Sequence, residues 1–263
     1  MPRFGNDTVL EDFKVGNFGF TGTNPAELGA SGYTLADLVV DVSGSTNGFQ
    51  KPMEEAIKGA IQALKDHPRA DNMLVRFVTF SDKVSEVHGY KLLSELNPTD
   101  YEGSCVPGGM TALFDGIIAA AEAADNYGRV LAQKDFDVNG IMIVITDGLN
   151  NAGKYNASLF QSRYSPDKDT YDKHIQSVQK ALRLPINSES LESYVTILIG
   201  VNCKELKASL LEFHNNVGFT QEFIALEDAE PKTIAKIGSF ISESVSSTSQ
   251  ALGTGAPSQS LTF

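Results

Sequence analysis

The chain has 263 residues, of which 41% are apolar, enough for one large domain with a substantial core and too many for wholesale disorder. Its 33 acidic and 21 basic residues leave a net charge of −12, and such a surface repels a phosphate backbone, so no nucleic-acid partner is expected. No window reaches the apolar length of a membrane span, and "MPRFGNDTVLEDF" lacks the apolar core of a secretory signal; with two cysteines that show no zinc spacing, a cytoplasmic protein with free thiols and no membrane contact is expected.

Residues 1–33 are polar and Gly-rich and read as an N-terminal extension, with "FKVGNFGFTG" as a short strand or hairpin. "LADLVVDV" is β-branched and apolar, bounded by Gly and Ser, and predicts a strand buried on both faces. In "GFQKPMEEAIKGAIQALKDHP", Met53, Ile57, Ile61 and Leu64 are spaced for one helix face, and Pro52 suits the first turn. "MLVRFVTFS" and "KVSEVHGYKLL" follow as strands, the second alternating and therefore expected at an edge. "TALFDGIIAAAEAADNYGRVLAQ" is a long Ala-rich helix, and "NGIMIVITDG" is the most apolar strand.

Beyond it come a helix in "YDKHIQSVQKALRL", a strand in "SYVTILIGV", a Gly-closed helix in "KELKASLLEFHNNVG", a short strand in "TQEFIAL" and a last helix from Pro231. Residues 251–263 have the composition of a flexible tail. Strands alternating with helices over 34–250 predict a doubly wound, mostly parallel sheet flanked by helices. Right-handed crossovers then gather the loops that follow the strands on one edge, where such folds bind ligands.

Polar strand ends converge there. The first strand delivers Asp41, Ser43 and Ser45; the loop before the Ala-rich helix delivers Thr111; the most apolar strand delivers Asp147. Three hydroxyls and two carboxylates are hard oxygen donors that suit Mg²⁺, with Mn²⁺ or Ca²⁺ as substitutes. Two carboxylates balance a divalent charge, and neutral hydroxyls fill the shell without overcharging it. Taken alone, Asp41, Ser43 and Ser45 also fit a turn that caps the next helix.

In order, "DVSGS", "GGMT" and "TDG" resemble the metal-ion-dependent adhesion site of von Willebrand factor A domains, a likeness that covers roughly residues 33–250. The resemblance implies that Ser43 and Ser45 bind the cation directly and Thr111 directly or through water. Asp41 and Asp147 would act through water and by orienting the hydroxyls. It also implies a vacant coordination position that accepts a Glu or Asp of a partner protein. Met110, between the glycine pair and Thr111, departs from many members. The chain is most similar to small bacterial members, including those tied to tellurite and stress resistance, which implies a scaffold beside an AAA+ ATPase or a kinase- or phosphatase-like protein.

The long segment after Asp147 carries Tyr155, Phe160, Arg163 and Tyr164, residue types that anchor interfaces. With Asn47, Tyr101, Glu102 and Met110 it is expected to form the rim that selects the partner; the alternative is a loop whose aromatics tuck onto their own domain. Asp115 and Asp125 read as ordinary helix carboxylates, one in the first turn and one facing solvent. Cys105 reads as a buried, inert thiol, and the four histidines as separate surface groups. No enzyme is expected. A Mg²⁺-dependent hydrolase or phosphotransferase is the alternative, but Ser43 has no evident His base, and neither a nucleophile elbow nor a phosphate-binding "GxxxxGK" loop is present.

Overall fold

In a computed structural model of the protein, residues 10–15, 18–155 and 168–254 are described. Eight strands form one mixed sheet: β1 (Leu10–Val15), β2 (Phe18–Thr23), β3 (Gly32–Asp41), β4 (Met73–Phe80), β5 (Val84–Leu92), β6 (Asp137–Thr146), β7 (Tyr194–Gly200) and β8 (Ile224–Ala225). Their order across the sheet is β1-β2-β5-β4-β3-β6-β7-β8. Only the β1–β2 and β4–β5 pairs are antiparallel. Five helices flank the sheet: α1 (Gln50–Lys65), α2 (Leu113–Ala132), α3 (Lys168–Ile186), α4 (Lys207–Val217) and α5 (Pro231–Thr254).

Every residue of β3 is buried, as its β-branched, mostly apolar run predicts for a strand covered on both faces. It lies between β4, in register from Thr34–Met73 to Asp41–Phe80, and β6, from Gly32–Asp137 to Val40–Ile145. Alternate residues feed two cores. Ala36, Leu38 and Val40 pack with Met53, Ile57, Ile61 and Leu64 of α1 and with Ile234, Ile237 and Ile241 of α5. Leu35 and Val39 pack with α2 and, through Ile175, Leu182 and Phe213, with the layer of α3 and α4. The chain leaves β3 through α1 toward β4 on one side and returns through α2 to β6 on the other, which places a topological switch point at the carboxyl ends of β3 and β6.

The N-terminal residues form the expected hairpin, and it joins the main sheet. Phe13 stacks on Phe20 at 5.0 Å and Tyr90 on Tyr127 at 4.9 Å, so β1 and β2 bury an aromatic cluster against β5 and α2. This corrects the expectation for β5: the hairpin, not β5, occupies the edge, and the alternation of β5 reflects one face under the aromatic cluster rather than a free side. Gly218 closes α4 in the left-handed conformation at φ 81°, as a C-terminal glycine should. Helix α5 runs to Thr254, past the expected domain end at 250; residues 255–263 lie outside the described residues.

Candidate metal centre

The switch point is built by backbone pairing beyond the ends of the strands. Val42 N–H donates to Phe80 O, Gly108 N–H to Val42 O and Gly44 N–H to Gly109 O, at 2.9, 2.9 and 3.1 Å. The segment ahead of Thr111 is therefore held flush against residues 42–44. Gly109 sits at φ 72°, and a Cβ there would come within 2.4 Å of the Asp82 carboxylate, so only glycine fits this corner. Asn151 grips the other side of Thr111: its Oδ1 accepts from Thr111 N–H at 2.6 Å, and its own N–H donates to Thr111 O at 2.8 Å. Asn150 Oδ1 accepts from Phe114 N–H at 2.9 Å and thereby serves the start of α2. Neither asparagine was singled out from sequence; an Asn pair directly after a strand-end "TDGL" was the available signal.

Four of the five candidate ligands join one hydrogen-bond chain. Asp41 Oδ1 accepts from Ser43 N–H at 2.8 Å, and Asp41 Oδ2 accepts from Thr146 Oγ1 at 2.6 Å. Ser43 Oγ lies 3.0 Å from Ser45 Oγ, which donates to Asp147 Oδ1 at 2.8 Å. The fifth, Thr111, borders the loop after Asp147: a Cβ on Gly148 would lie 3.7 Å from Thr111 Oγ1. Asp41, Ser43, Thr111 and Asp147 are buried, and Ser45 is exposed at the mouth. Thr146 is a second residue that sequence reasoning passed over; it fixes the Asp41 carboxylate from the neighbouring strand.

Burial pushes the Asp41 carboxyl up to about 6, with the hydrogen bonds from Thr146 and Ser43 opposing and the nearby Asp147 charge adding to the rise. Burial also raises Asp147, against the hydrogen bond from Ser45. Two carboxylates thus share a low-dielectric cup in which the charged form is disfavoured, and among the described residues no cationic side chain pairs with either. The donor spacing fits a small octahedral ion. Neighbouring oxygens at about 2.1 Å from such an ion lie about 3.0 Å apart, as Ser43 Oγ and Ser45 Oγ do at 3.0 Å. Among the described residues no three His, Cys, Asp or Glu side chains gather to hold a metal. The cup relies on hydroxyls, which suits a hard cation rather than a thiolate- or imidazole-seeking one.

The expected rim is partly corrected. Tyr101 is fully buried, with its hydroxyl 2.8 Å from His88 Nε2, because the turn Pro98–Tyr101 folds the ring under β5 against Phe77; it offers no surface to a partner. Tyr155 is half-buried and packs on its own domain, its ring 5.7 Å from that of His174 on α3. Asn47, Glu102 and Met110 are exposed, and Glu102 is paired with Lys58 at 3.0 Å. Phe160, Arg163 and Tyr164 lie outside the described residues. Asp125 is buried rather than solvent-facing, and its Oδ2 is paired with Arg129 at 2.7 Å. Asp115 lies in the first turn of α2 and accepts from Lys154 and Tyr155 N–H. Cys105 is buried and its thiol is pushed up to about 12 by burial, which makes it inert. Two of the four histidines also depart from surface positions: His214 is buried, and His88 is enclosed between Gly89 O and Tyr101.

No sequence-family profile matches this chain, and no curated protein matches it by sequence. Solved structures do match by shape. A single-residue variant of the PilB minor pilin from Streptococcus sanguinis aligns at 13% identity over 88% of this chain and 65% of that one, with a TM-score of 0.60. The pilus adhesin SpaC from Lactobacillus rhamnosus GG, in its open conformation, aligns at 11% identity over 82% of this chain and 30% of that one, with a TM-score of 0.55. The von Willebrand factor domain of the type V pili tip protein Mfa5 from Porphyromonas gingivalis aligns at 11% identity over 89% of this chain and 99% of that one, with a TM-score of 0.54. The chain spans less than two thirds of the first two proteins and nearly all of the Mfa5 domain. The fold is that of a von Willebrand factor A-like α/β sandwich.

Proposed function

We propose that this chain is a protein–protein interaction module that docks an acidic side chain of a partner through a divalent cation, Mg²⁺ in the first instance, held at the carboxyl ends of β3 and β6. Ser43, Ser45 and Thr111 supply hydroxyl ligands, while Asp41 and Asp147 balance the charge and orient those hydroxyls. The bound cation supplies positive charge and a coordination position that a carboxylate can take. One observation carries the reading: two buried carboxylates, Asp41 and Asp147, are joined through serine hydroxyls, and no cation pairs with them among the described residues.

Pilin and adhesin structures among the shape neighbours are interaction proteins, which agrees with this reading. The hydrolase alternative lacks a histidine base: Ser43 Oγ is bonded to Ser45 Oγ, and no histidine bonds to it among the described residues. Two buried, unpaired thiols, Cys105 and Cys203, support a cytoplasmic setting. A bacterial stress-response or defence complex, with an AAA+ ATPase or a kinase- or phosphatase-like protein offering the Glu or Asp, completes the proposal.

The test is calorimetric titration of Mg²⁺ into the chain and into Asp147→Ala, followed by affinity capture from the native host in Mg²⁺ or chelator. Metal uptake by the parent and not the variant, with a protein retained only in Mg²⁺, is the expected result. Equal uptake by both chains, or capture that chelator leaves intact, overturns the reading.

A further inference from the structure

Few large apolar side chains stand exposed among the described residues, and two of them, Val106 and Met110, lie on the segment that delivers Thr111. Val106 is 68% exposed and Met110 48%. Both are within two residues of backbone paired to the cup, through Gly108 N–H to Val42 O and Gly44 N–H to Gly109 O. A buried thiol, Cys105, and a buried ligand, Thr111, bracket them, so the segment turns its small polar groups inward and these two apolar groups outward. A methionine beside a ligand threonine is conformationally adaptable and suits a recognition surface.

Asp82 adjoins the same corner. It is exposed, and its Oδ1 accepts from Met110 N–H at 2.8 Å. No cation pairs with it among the described residues, and the adjacent Lys83 makes no ion pair with it. Glu102, an exposed acid on the loop before Thr111, is paired with Lys58, which also pairs with Glu55. The mouth of the cup therefore presents three chemistries in sequence: a place for a carboxylate, an apolar shoulder and a negative charge.

We infer that the partner segment is a mixed one, in which an acidic side chain is flanked by a large apolar residue seated on Val106 and Met110 and by a Lys or Arg facing Asp82. This rests on the docking function proposed above and specifies its ligand. Charge complementarity favours it: a chain of net charge −12 repels a purely acidic segment, so a basic flank restores attraction around the one carboxylate that the cation accepts. The apolar shoulder adds burial that charge alone does not provide.

The probe is a random twelve-residue peptide phage library selected on the full chain in Mg²⁺ and, in parallel, in chelator. Peptides enriched only in Mg²⁺ are expected to carry Asp or Glu with an aliphatic or aromatic residue and a Lys or Arg within three positions. Synthetic copies are then titrated against variants. Val106→Ser with Met110→Ser should weaken binding about tenfold or more. Asp82→Asn, which keeps the acceptor for Met110 N–H, should weaken it about two- to fivefold and remove the preference for the basic residue. Mg²⁺ uptake should be unchanged in all of them. Mg²⁺-dependent peptides that bear an acid without such flanks, or that bind the variants as tightly, overturn this inference and leave the docking function standing. Absence of any Mg²⁺-dependent enrichment overturns the docking function, and this inference with it.

Discussion

Strand β3 carries two buried aspartates on the same face, Asp37 and Asp41, and burial pushes both carboxyls up to about 6. Their surroundings differ in one respect. Asp37 faces Arg76 of β4 at 3.4 Å, accepts from the hydroxyl of Tyr90 at 2.7 Å and lies 3.5 Å from that of Tyr194. Arg76 in turn reaches Glu86 of β5 at 2.7 Å, and Glu86 accepts from Thr21 of the hairpin. Burial works against the Arg76 charge, but attraction from Asp37, Tyr90 and Glu86 outweighs it and raises the group. Asp41, four residues further along β3, has only neutral donors and the like charge of Asp147. The same strand thus holds one aspartate with its cation built into the chain and one with no cation beside it among the described residues.

The comparison breaks most violently at Arg76. Arg76→Ala leaves Asp37 and Glu86 facing each other in the interior without a cation, and stability should fall by about 3–5 kcal/mol. Urea unfolding at neutral pH measures it; a loss below about 1 kcal/mol would mean that Asp37 is already neutral there and that the pairing contributes little. The cup should respond in the opposite sense. Adding Mg²⁺ at a hundred times its dissociation constant should stabilise the parent by about 2.7 kcal/mol, read as a rise in Tm. Asp147→Ala should erase that rise, while its melting in chelator stays at or above the parent's, because the variant removes a buried charge with no cation beside it.

A third group, half-buried and closed in by its hydrogen-bond partners, sharpens the contrast, since it escapes charge altogether. His88 is held between Gly89 O and the Tyr101 hydroxyl, each 2.8 Å from a ring nitrogen, and burial pushes it down to about 4. The folded chain therefore keeps His88 neutral where the unfolded chain, titrating near 6.5, takes up a proton. Its contribution to stability is whole above pH 6.5, is lost as pH falls from 6.5 toward 4, and changes no further below that. Between pH 7 and pH 5 the loss should amount to about 1–2 kcal/mol. His88→Gln keeps neutral polar partners and should flatten that part of the pH profile; an unchanged profile would place the titration elsewhere.

Most of the architecture was legible because it rests on periodicity. The mostly apolar run in β3, the one-face spacing in α1 and the Ala-rich α2 each follow from which faces must be covered. Asp41, Ser43, Ser45 and Asp147 stand at or just beyond the ends of β3 and β6, where their positions after apolar runs put them, and Thr111 comes to the same edge from the loop before α2. What escaped were features fixed by long-range pairing. An alternating strand reads as an edge whether solvent or a hairpin lies beside it, so the place of β1 and β2 outside β5 was hidden. Tyr101 reads as a rim aromatic until the fold supplies His88. The Asp37–Arg76 pair did leave a trace: an aspartate in "LADLVV" and an arginine in "MLVRFV", opposite charges in the middle of two runs expected to be buried side by side.

The smallest effect tests the rule that joins these sites, namely that losing a cation matters in proportion to how far water is kept from it. Asp125 on α2 is as buried as Asp147, yet its partner Arg129, four residues on, keeps 55% of its side chain exposed. Remove Arg129 and solvent can reach the side of the carboxylate that the guanidinium covered, which cannot happen at Asp37, where Arg76 is 1% exposed. Arg129→Ala should therefore cost no more than about 1 kcal/mol, and less as salt is raised. A loss as large as that from Arg76→Ala would show that burial of the carboxylate alone sets the cost. In that case Asp41 and Asp147, equally buried, would have to be protonated in the absence of metal, and the cup would release protons on taking up Mg²⁺.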